Sequence, residues 1–326
     1  MCTSIAMTTK DFYFGRNMDL DYEFGECVVI TPRNYPFQFR RAGVLKQHYA
    51  MIGMARVEDN YPLYAEAVNE KGLCIAGLNF PDNAYYPKKE KADKENISPF
   101  ELIPWILGKC GTIEEAKKLF DITWLVDIPF RSDIPVASLH WHIADKNTSI
   151  VVEATKSGIN VYDNPVQVMT NNPPFEFQMT NLGQYLNLTV DSPQNCFSEF
   201  ASVHPFGKGL GSFGLPGDFS PASRFVKAAY LRLNSVCINN NEKDSVSQFF
   251  KILDSVSVVN GSIVTDSKNP YYTTYSCCAN ADKGIFYYKT YFNNQISAIN
   301  MNHENLEDRC LKEFEIVRSQ QIAWGN

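Results

Sequence analysis

The spacing of the predicted strands constrains the fold of this chain most. Runs of β-branched and aromatic residues, bounded by turn residues, fill the first third and return in the middle and at the end. The predicted strands lie at 2–9, 12–20, 26–32, 48–55, 63–68, 73–80, 137–145, 149–155, 158–164, 166–171, 273–278, 284–291 and 296–301. A turn at Asn69–Gly72 joins two of them, which places Asn79 near the end of a strand, where loops begin.

Four predicted helices interrupt these strands. Ser98, Pro99 and Glu101 form a capping box that predicts a helix over 99–109, and Thr112 opens the next one. Ser220 should cap a helix through about 236, and Asp244 a helix through about 258. Because strands and helices come in blocks rather than as βαβ units, the sheets should be mostly antiparallel. We predict an α+β fold, a four-layer αββα sandwich.

Composition indicates a globular protein with an ample core. The chain has 326 residues, of which 44% are hydrophobic and 20% charged, and no linker divides it, so we expect a single domain over 1–326. Residues 188–219 are too long for a passive connection and are our candidate for an extended arm used in assembly. A net charge of −6 without a basic stripe disfavours nucleic-acid binding.

The location of the protein is suggested by what the first residues lack. No apolar run reaches the roughly 18 residues of a membrane span, and the start has no basic and apolar signal pattern, so we expect a cytoplasmic protein without membrane partners. In that compartment cysteines stay reduced. We expect buried thiols for most of Cys27, Cys74, Cys110, Cys196, Cys237 and Cys310, and opposite faces of one strand for Cys277 and Cys278.

Cys2 would combine two reactive groups if the initiator Met1 were removed. Methionine aminopeptidases cleave Met1 when the second side chain is small, as cysteine is. The chain would then begin with a thiol and a free α-amine on one residue. Their ordinary pKa values are about 8.5 and about 7.7 to 8.0, so the amine is suited to accept the thiol proton. Position alone also fits a cysteine without catalytic use, and the neighbouring residues decide between the two interpretations.

Arg16 and Asp19 are the first such neighbours. A tight turn at Lys10–Asp11 would form a hairpin that returns both residues to the side of Cys2. An arginine there stabilises a thiolate, and an aspartate can orient an α-ammonium by a charge-assisted hydrogen bond. Without Cys2, an ordinary surface pair in a hairpin would be the better interpretation.

Several motifs in order resemble one family, the choloylglycine hydrolases, which comprise bile salt hydrolases and penicillin V acylases of the N-terminal-nucleophile class. The matching segments are MCTS at 1–4, FGRNMD at 14–19, NEKGLCIAGLNFP at 69–81, SPFELIPWILG at 98–108, LHWHIAD at 139–145, SIVVEATKSG at 149–158, VMTNNPPF at 168–175 and LPGDFSPASRFVKA at 215–228. The resemblance implies an amidase that needs no metal or other cofactor and that assembles as a homotetramer.

The resemblance also implies roles for individual residues. Cys2 would attack the amide, with Arg16 and Asp19 beside it. Asn79 and Asn171 would form the oxyanion hole, a role suited to amide donors, and Arg224 would complete the polar site. The side chains expected to contact an apolar substrate are Met18, Leu20, Phe24, Tyr61, Leu63 and Phe130, with Trp124 and Leu125 nearby; most lie in predicted loops at 20–26, 56–64 and 124–136.

The substrate has alternatives with the same cysteine chemistry. Bile salt hydrolases resemble this chain in having Asn at the position of Asn79, where penicillin V acylases often have Tyr, so bile acids conjugated to glycine or taurine are favoured. Penicillin V and N-acyl homoserine lactones are the alternatives. A further alternative is a binding module for amphipathic anions without catalysis.

Two other patterns have simpler interpretations. The glycines of 209–214 match a dinucleotide-binding pattern, but no βαβ unit surrounds them. His140 and His142 are spaced for one face of a strand, where they could bind a metal, but no third ligand lies near them in sequence. We interpret them as a packed or surface pair.

Overall fold

Two large antiparallel sheets form the centre of the structure, a computed structural model that describes residues 1–326. The strands in chain order are β1 (Cys2–Thr8), β2 (Phe12–Leu20), β3 (Cys27–Thr31), β4 (Phe37–Phe39), β5 (Gly43–Leu45), β6 (Met51–Glu58), β7 (Tyr61–Asn69), β8 (Cys74–Asn79), β9 (Glu95–Ile97), β10 (Thr123–Leu125), β11 (Leu139–Ala144), β12 (Ser149–Thr155), β13 (Gly158–Asp163), β14 (Val168–Met169), β15 (Ile263–Val264), β16 (Pro270–Asn280), β17 (Ile285–Thr290), β18 (Asn293–Asn300) and β19 (Lys312–Glu315).

Helices cover the outer face of each sheet. They are α1 (Leu102–Lys109), α2 (Ile113–Ile122), α3 (Phe175–Asn181), α4 (Pro221–Asn234) and α5 (Glu242–Asp254). Short 3₁₀ turns occur at Pro99–Glu101, Leu182–Tyr185, Leu210–Ser212 and Met301–His303. None of the helices is long and apolar enough to span a membrane.

The layer order follows from which elements touch. The first sheet has the order β14-β1-β2-β16-β17-β18, with β15 beside β16, and α4 and α5 pack on it. The second has the order β13-β12-β11-β8-β7-β6-β3-β19 and is covered by α1. One apolar core contains residues of both sheets with α4 and α5, and the other joins the second sheet to α1 and α2. The predicted αββα sandwich is confirmed.

The β1–β2 hairpin brings the predicted site residues together. In its antiparallel register Cys2 lies opposite Met18, and Ser4 lies opposite Arg16. The neighbouring strand β16 runs so close to β2 that a Cβ on Gly15 would lie 2.0 Å from the oxygen of Cys277. Gly15 is therefore required for the close approach of the two strands.

Local signals for turns and caps are confirmed at several positions. Gly72 has a φ of +86° in the predicted turn between β7 and β8. The Ser98–Glu101 capping box is present, with Glu101 accepting from the Ser98 amide at 2.8 Å. Ser220 caps α4. Each signal is local, because the residue that makes the contact is within a few positions of the group it satisfies.

Other local predictions are wrong in detail. Helix α5 is capped by Asn241, whose Oδ1 accepts from the amide of Asp244 at 3.0 Å, so Asp244 lies in the first turn and the helix ends at Asp254. Residues 56–64 belong mainly to the β6–β7 hairpin, with Asp59 and Asn60 at positive φ in its turn. Trp124 and Leu125 do not lie in a loop, as predicted, but in strand β10, which pairs in parallel with β9.

The cysteine prediction is only partly right. All nine thiols are free, and Cys74, Cys110, Cys277 and Cys278 are buried. Cys27 and Cys237 are half-buried, and Cys196 and Cys310 are exposed, so most of the six separate cysteines are not buried. The exposed two lie in segments outside regular strands and helices, where no core covers them.

Candidate active site

Cys2 begins β1 and is only 3% exposed. Its main-chain nitrogen donates to Oδ1 of Asn171 at 2.7 Å, and its carbonyl oxygen accepts from Arg224. The thiol lies 4.0 Å from the sulfur of Met18, its partner across the hairpin. Both main-chain polar groups of Cys2 are thus fixed by side chains that come from distant parts of the chain.

Met1 carries the terminal amine. This amine donates to the main-chain oxygen of Asp19 at 2.8 Å and to the hydroxyl of Tyr271, and the Met1 carbonyl accepts from the Asp19 amide at 3.0 Å. Burial lowers the pKa of the amine, while the charges of Cys2 and Asp19 act to raise it. With Met1 attached, the nitrogen of Cys2 is an amide and cannot accept a proton, so the thiol has no base on its own residue.

The guanidinium of Arg16 is fully buried behind Cys2. Nη1 donates to the oxygen of Gly77 at 2.5 Å and lies 3.6 Å from a carboxylate oxygen of Glu66, and Nη2 lies 3.5 Å from the Met18 sulfur. The Met18 sulfur therefore contacts both the Cys2 thiol and Arg16. Met18 is only 8% exposed, so it is mainly a buried neighbour of the thiol and offers little surface for contact with a substrate.

Glu66 is a buried acid that sequence reasoning missed. Burial raises its pKa to about 7, although the nearby charge of Arg16 acts in the opposite direction. The hydroxyl of Tyr275 donates to both carboxylate oxygens, at 3.0 and 3.1 Å, and the Cys277 thiol lies 3.4 Å away. An acidic residue inside the apolar run LYAEAV was the available signal, since such residues are rarely buried without a partner.

Asp19 has one carboxylate oxygen in use and one free. Oδ1 accepts from the hydroxyl of Thr273 at 2.6 Å, whereas Oδ2 is buried without a hydrogen-bond partner, 4.0 Å from Nη1 of Arg224. Burial lowers the pKa of Arg224, against the opposing effect of Asp19. A buried carboxylate oxygen without a hydrogen-bond donor is costly, and the positive charge of Arg224 offsets part of that cost.

Asn79 and Asn171 meet, but their side chains are used differently. Asn79 ends β8 with an exposed side chain. Nδ2 of Asn171 donates to the main-chain oxygen of Asn79 at 2.7 Å, and its Oδ1 accepts from both Cys2 and Nη2 of Arg224, the latter at 2.9 Å. Both atoms of the Asn171 amide group therefore hold other site residues, Oδ1 through two hydrogen bonds and Nδ2 through one, while the exposed side chain of Asn79 is the more available donor.

The residues predicted to contact an apolar substrate differ in how deeply their side chains are buried. Leu20 and Phe24 are half-buried against the core that contains Cys2, and Leu63 is half-buried against the other core. Tyr61 and Phe130 are only 7% and 8% exposed, and their rings pack 5.9 Å apart beside Phe100. The structure thus places Tyr61 and Phe130 mainly in an aromatic cluster, away from an exposed loop surface.

Known proteins similar to this chain share both its length and its fold. A family model for linear amide C–N hydrolases of the choloylglycine hydrolase family matches residues 2–314. A bile salt hydrolase/transferase of Lactiplantibacillus plantarum is 50% identical over 98% of both chains. Another from Clostridium perfringens is 41% identical over the full length of both.

Solved structures agree with these matches. The C2A mutant of the conjugated bile acid hydrolase from Clostridium perfringens has a TM-score of 0.92 at 40% identity, with 100% of both chains covered. A penicillin V acylase from Agrobacterium tumefaciens has a TM-score of 0.75 at 19% identity over 96% of this chain and 90% of its own, and so shares the fold. The chain belongs to the choloylglycine hydrolase family.

Proposed function

We propose that this protein hydrolyses the amide bond of bile acids conjugated to glycine or taurine, with Cys2 as nucleophile. One observation carries the proposal: Asn171 and Arg224 fix the main chain of Cys2, with Arg16 and Asp19 close by, in a chain 50% identical to a bile salt hydrolase/transferase. The same residues are those expected from the sequence motifs.

Removal of Met1 creates the base. The Cys2 nitrogen becomes an α-amine that keeps Asn171 as its acceptor, and the unpaired Oδ2 of Asp19 gives a charge-assisted partner for the protonated form. The amine accepts the thiol proton, directly or through a water. Arg16, whose Nη2 lies 3.5 Å from the Met18 sulfur, stabilises the thiolate by its positive charge.

The thiolate then attacks the amide carbonyl. A new C–S bond forms, and the carbonyl oxygen becomes an oxyanion that accepts from the side chain of Asn79. Asn171 supports this donor by holding the Asn79 main chain, and Arg224 holds both Asn171 and Cys2. In this proposal Asn79 contributes its amide group directly, and Asn171 acts mainly by positioning.

Collapse of the intermediate completes the reaction. The α-ammonium gives its proton to the departing nitrogen, and the C–N bond breaks. Glycine or taurine departs, and the acyl group remains bound to Cys2 as a thioester. Water, deprotonated by the α-amine, hydrolyses the thioester and frees the bile acid. An amine in place of water would give acyl transfer, the second activity in the names of the two relatives.

Apolar contact should provide most of the substrate affinity. A steroid is rigid and apolar, so half-buried side chains near Cys2 suit it. We propose Leu20 and Phe24, which flank the same core as Cys2, and Leu63 as direct contacts, with Met18 at the reacting end. Tyr61 and Phe130 would support this wall from behind through their aromatic cluster.

Residues 188–219 support a proposal about assembly and cellular context. Phe197, Phe200 and Phe206 are 86%, 92% and 94% exposed, an arrangement costly in water and typical of an interface. We propose that the chain is one domain that assembles as a homotetramer in the cytoplasm, with this segment as the arm that contacts a neighbouring copy.

Product analysis tests the proposed substrate. Protein shown by intact mass to lack Met1 should release glycine from glycocholate faster than it cleaves phenoxymethylpenicillin or an N-acyl homoserine lactone. Higher penicillin turnover would assign the protein to the alternative substrate class. If Cys2→Ala retained every cellular effect of the protein, the non-catalytic binding module would replace both.

A further inference from the structure

His140 lies beside both asparagines of the proposed oxyanion site without belonging to it. It is 2% exposed on β11, which pairs with the end of β8 so that Leu139 lies opposite Asn79. Its side chain contacts the residue that follows Asn79 and the residue that precedes Asn171, as described next. The sequence suggested only a packed or surface histidine here.

The first contact is with the Asn79 side of the site. The imidazole of His140 stacks on the ring of Phe80, with centroids 4.2 Å apart and an angle of 7° between the planes. Phe80 is fully buried, and its amide donates to Ser138 at 2.8 Å. A flat, buried stack of this kind restricts how far the Phe80 main chain, and Asn79 with it, can shift.

The second contact is with the Asn171 side. Nε2 of His140 carries a proton and donates to the carbonyl oxygen of Thr170 at 2.9 Å, because a carbonyl can only accept. Thr170 is 1% exposed, and its hydroxyl donates to the oxygen of Pro221 at 2.9 Å. The strand end that carries Asn171 is therefore held on one side by His140.

Glu153 connects His140 to the far end of the segment 170–175, which contains Asn171. Its Oε1 lies 3.3 Å from Nδ1 of His140 and accepts from the amide of Phe175 at 2.9 Å. Glu153 is directly opposite His140 on β12 and is 1% exposed. One buried pair thus fixes both ends of the segment 170–175 and the segment that begins at Asn79.

We propose that His140 is a positioning residue that fixes the distance between the Asn79 amide group and Cys2. This positioning role rests on the proposed function, because the oxyanion that Asn79 stabilises arises only in that reaction. Without His140, the two loops would remain joined by the 2.7 Å bond from Asn171 to Asn79 but would lose their common support. The oxyanion donor would then shift relative to the thiolate, which affects the transition state more than the bound substrate.

Two substitutions separate the stack on Phe80 from the polar contacts of the imidazole. His140→Phe keeps a flat ring against Phe80 and removes both the donor to Thr170 and the Nδ1 contact with Glu153. His140→Gln keeps a donor near Thr170 and removes the stack. We expect kcat for glycocholate to fall by about 10- to 100-fold in His140→Phe, since displacements of about 1 Å can cost that much, with KM changed by about threefold at most. His140→Gln should recover part of this loss.

His142→Phe is the matched control. His142 lies two positions along the same strand, is fully buried, and bonds to Ser4 and Ser149 at 2.8 and 2.7 Å instead of to the loops of the site. We expect it to lower the urea midpoint at least as much as His140→Phe does while kcat stays within about threefold of the original value. This comparison separates loss of stability from loss of positioning.

A substrate-like aldehyde supplies a second measurement. Addition of the Cys2 thiolate to a bile acid aldehyde makes a C–S bond and an oxyanion without a leaving group, so the change in its inhibition constant between variants reports the oxyanion site without the later steps. It should rise in His140→Phe in proportion to the fall in kcat and stay unchanged in His142→Phe. Unchanged kcat and inhibition constant in a folded His140→Phe or His140→Gln would overturn the inference.

Different measurements refute the proposed function and the positioning role of His140. Unsubstituted, Met1-free protein without activity on conjugated bile salts would refute the function. The inference is tested by the ratio of variant to unsubstituted protein, on whichever amide the unsubstituted protein cleaves. If His140→Phe does not fold, His140→Gln and the aldehyde titration decide the question.

Discussion

The main-chain nitrogen of Cys2 donates a 2.7 Å hydrogen bond to Oδ1 of Asn171. This is the atom that becomes the α-amine when Met1 is removed, so its acceptor is in place before the amine exists. The same Asn171 side chain holds the Asn79 main chain through Nδ2. One amide group therefore links the proposed base to the proposed oxyanion donor.

Asn79→Ala should lower kcat with little change in KM. The exposed Asn79 amide is the proposed oxyanion donor, and loss of one such donor typically costs about 10²- to 10³-fold in kcat. Steady-state kinetics on glycocholate measure both constants. A variant that changed only KM would assign Asn79 to substrate binding instead.

Asp19→Asn should move the acid limb of the pH profile to lower pH. The negative charge of Asp19 acts to raise the pKa of the terminal amine in the chain that retains Met1, and we expect the same effect on the amine of Cys2. Removing this charge lowers the amine pKa, so the free base is present at a lower pH. A profile of kcat/KM for the Met1-free variant tests this, and a limb that moved to higher pH would contradict it.

Glu66→Gln should change how stability depends on pH. Burial raises the pKa of Glu66 from 4.5 to about 7, so between these values the folded protein retains a proton that the unfolded chain releases. The free energy of unfolding must then fall as pH rises through this window, by at most roughly 3 kcal/mol at about 1.36 kcal/mol per pH unit.

Urea titrations at about pH 5 and about pH 8 measure this contribution. The unsubstituted protein should lose more stability than Glu66→Gln between the two conditions, because glutamine cannot ionise. Equal losses would show that Glu66 does not titrate in this window.

Serine at Phe197, Phe200 and Phe206 should weaken assembly without unfolding the chain. These rings are almost fully exposed in one copy, so their replacement removes no core packing. Ile238→Ser, at a 90% exposed position outside the arm, is the control. Sedimentation should show smaller species for the triple variant alone, and an unchanged mass would remove the arm from the interface.

The parts of this fold that could be predicted from sequence depend on local physics. The Ser98–Glu101 capping box and the turn at Gly72 each satisfy groups only a few positions away. The hairpin signal was likewise enough to place Arg16 and Asp19 near Cys2. At α5 the predicted cap, Asp244, is wrong, because the side chain that accepts from the first turn of the helix is that of Asn241.

The parts that could not be predicted depend on contacts between distant segments. Glu66 and Tyr275 are 209 positions apart, and only the stacking of the two sheets shows that they meet. His140, on the second sheet, meets Thr170 beside the first sheet in the same way, whereas Thr273 meets Asp19 because β16 pairs with β2. The motifs identified Asn79 and Asn171 as a pair, but which amide is free depends on a hydrogen bond between them.

The central claim is that Cys2 acts only when its own nitrogen is a free amine. It is tested by preparing the protein with aminopeptidase inhibited, confirming by intact mass that Met1 is retained, and then removing Met1 enzymatically from the unfolded chain before refolding. We expect no glycine release from glycocholate while Met1 is attached and full turnover after its removal. Equal turnover by both forms, each verified by mass, would contradict it.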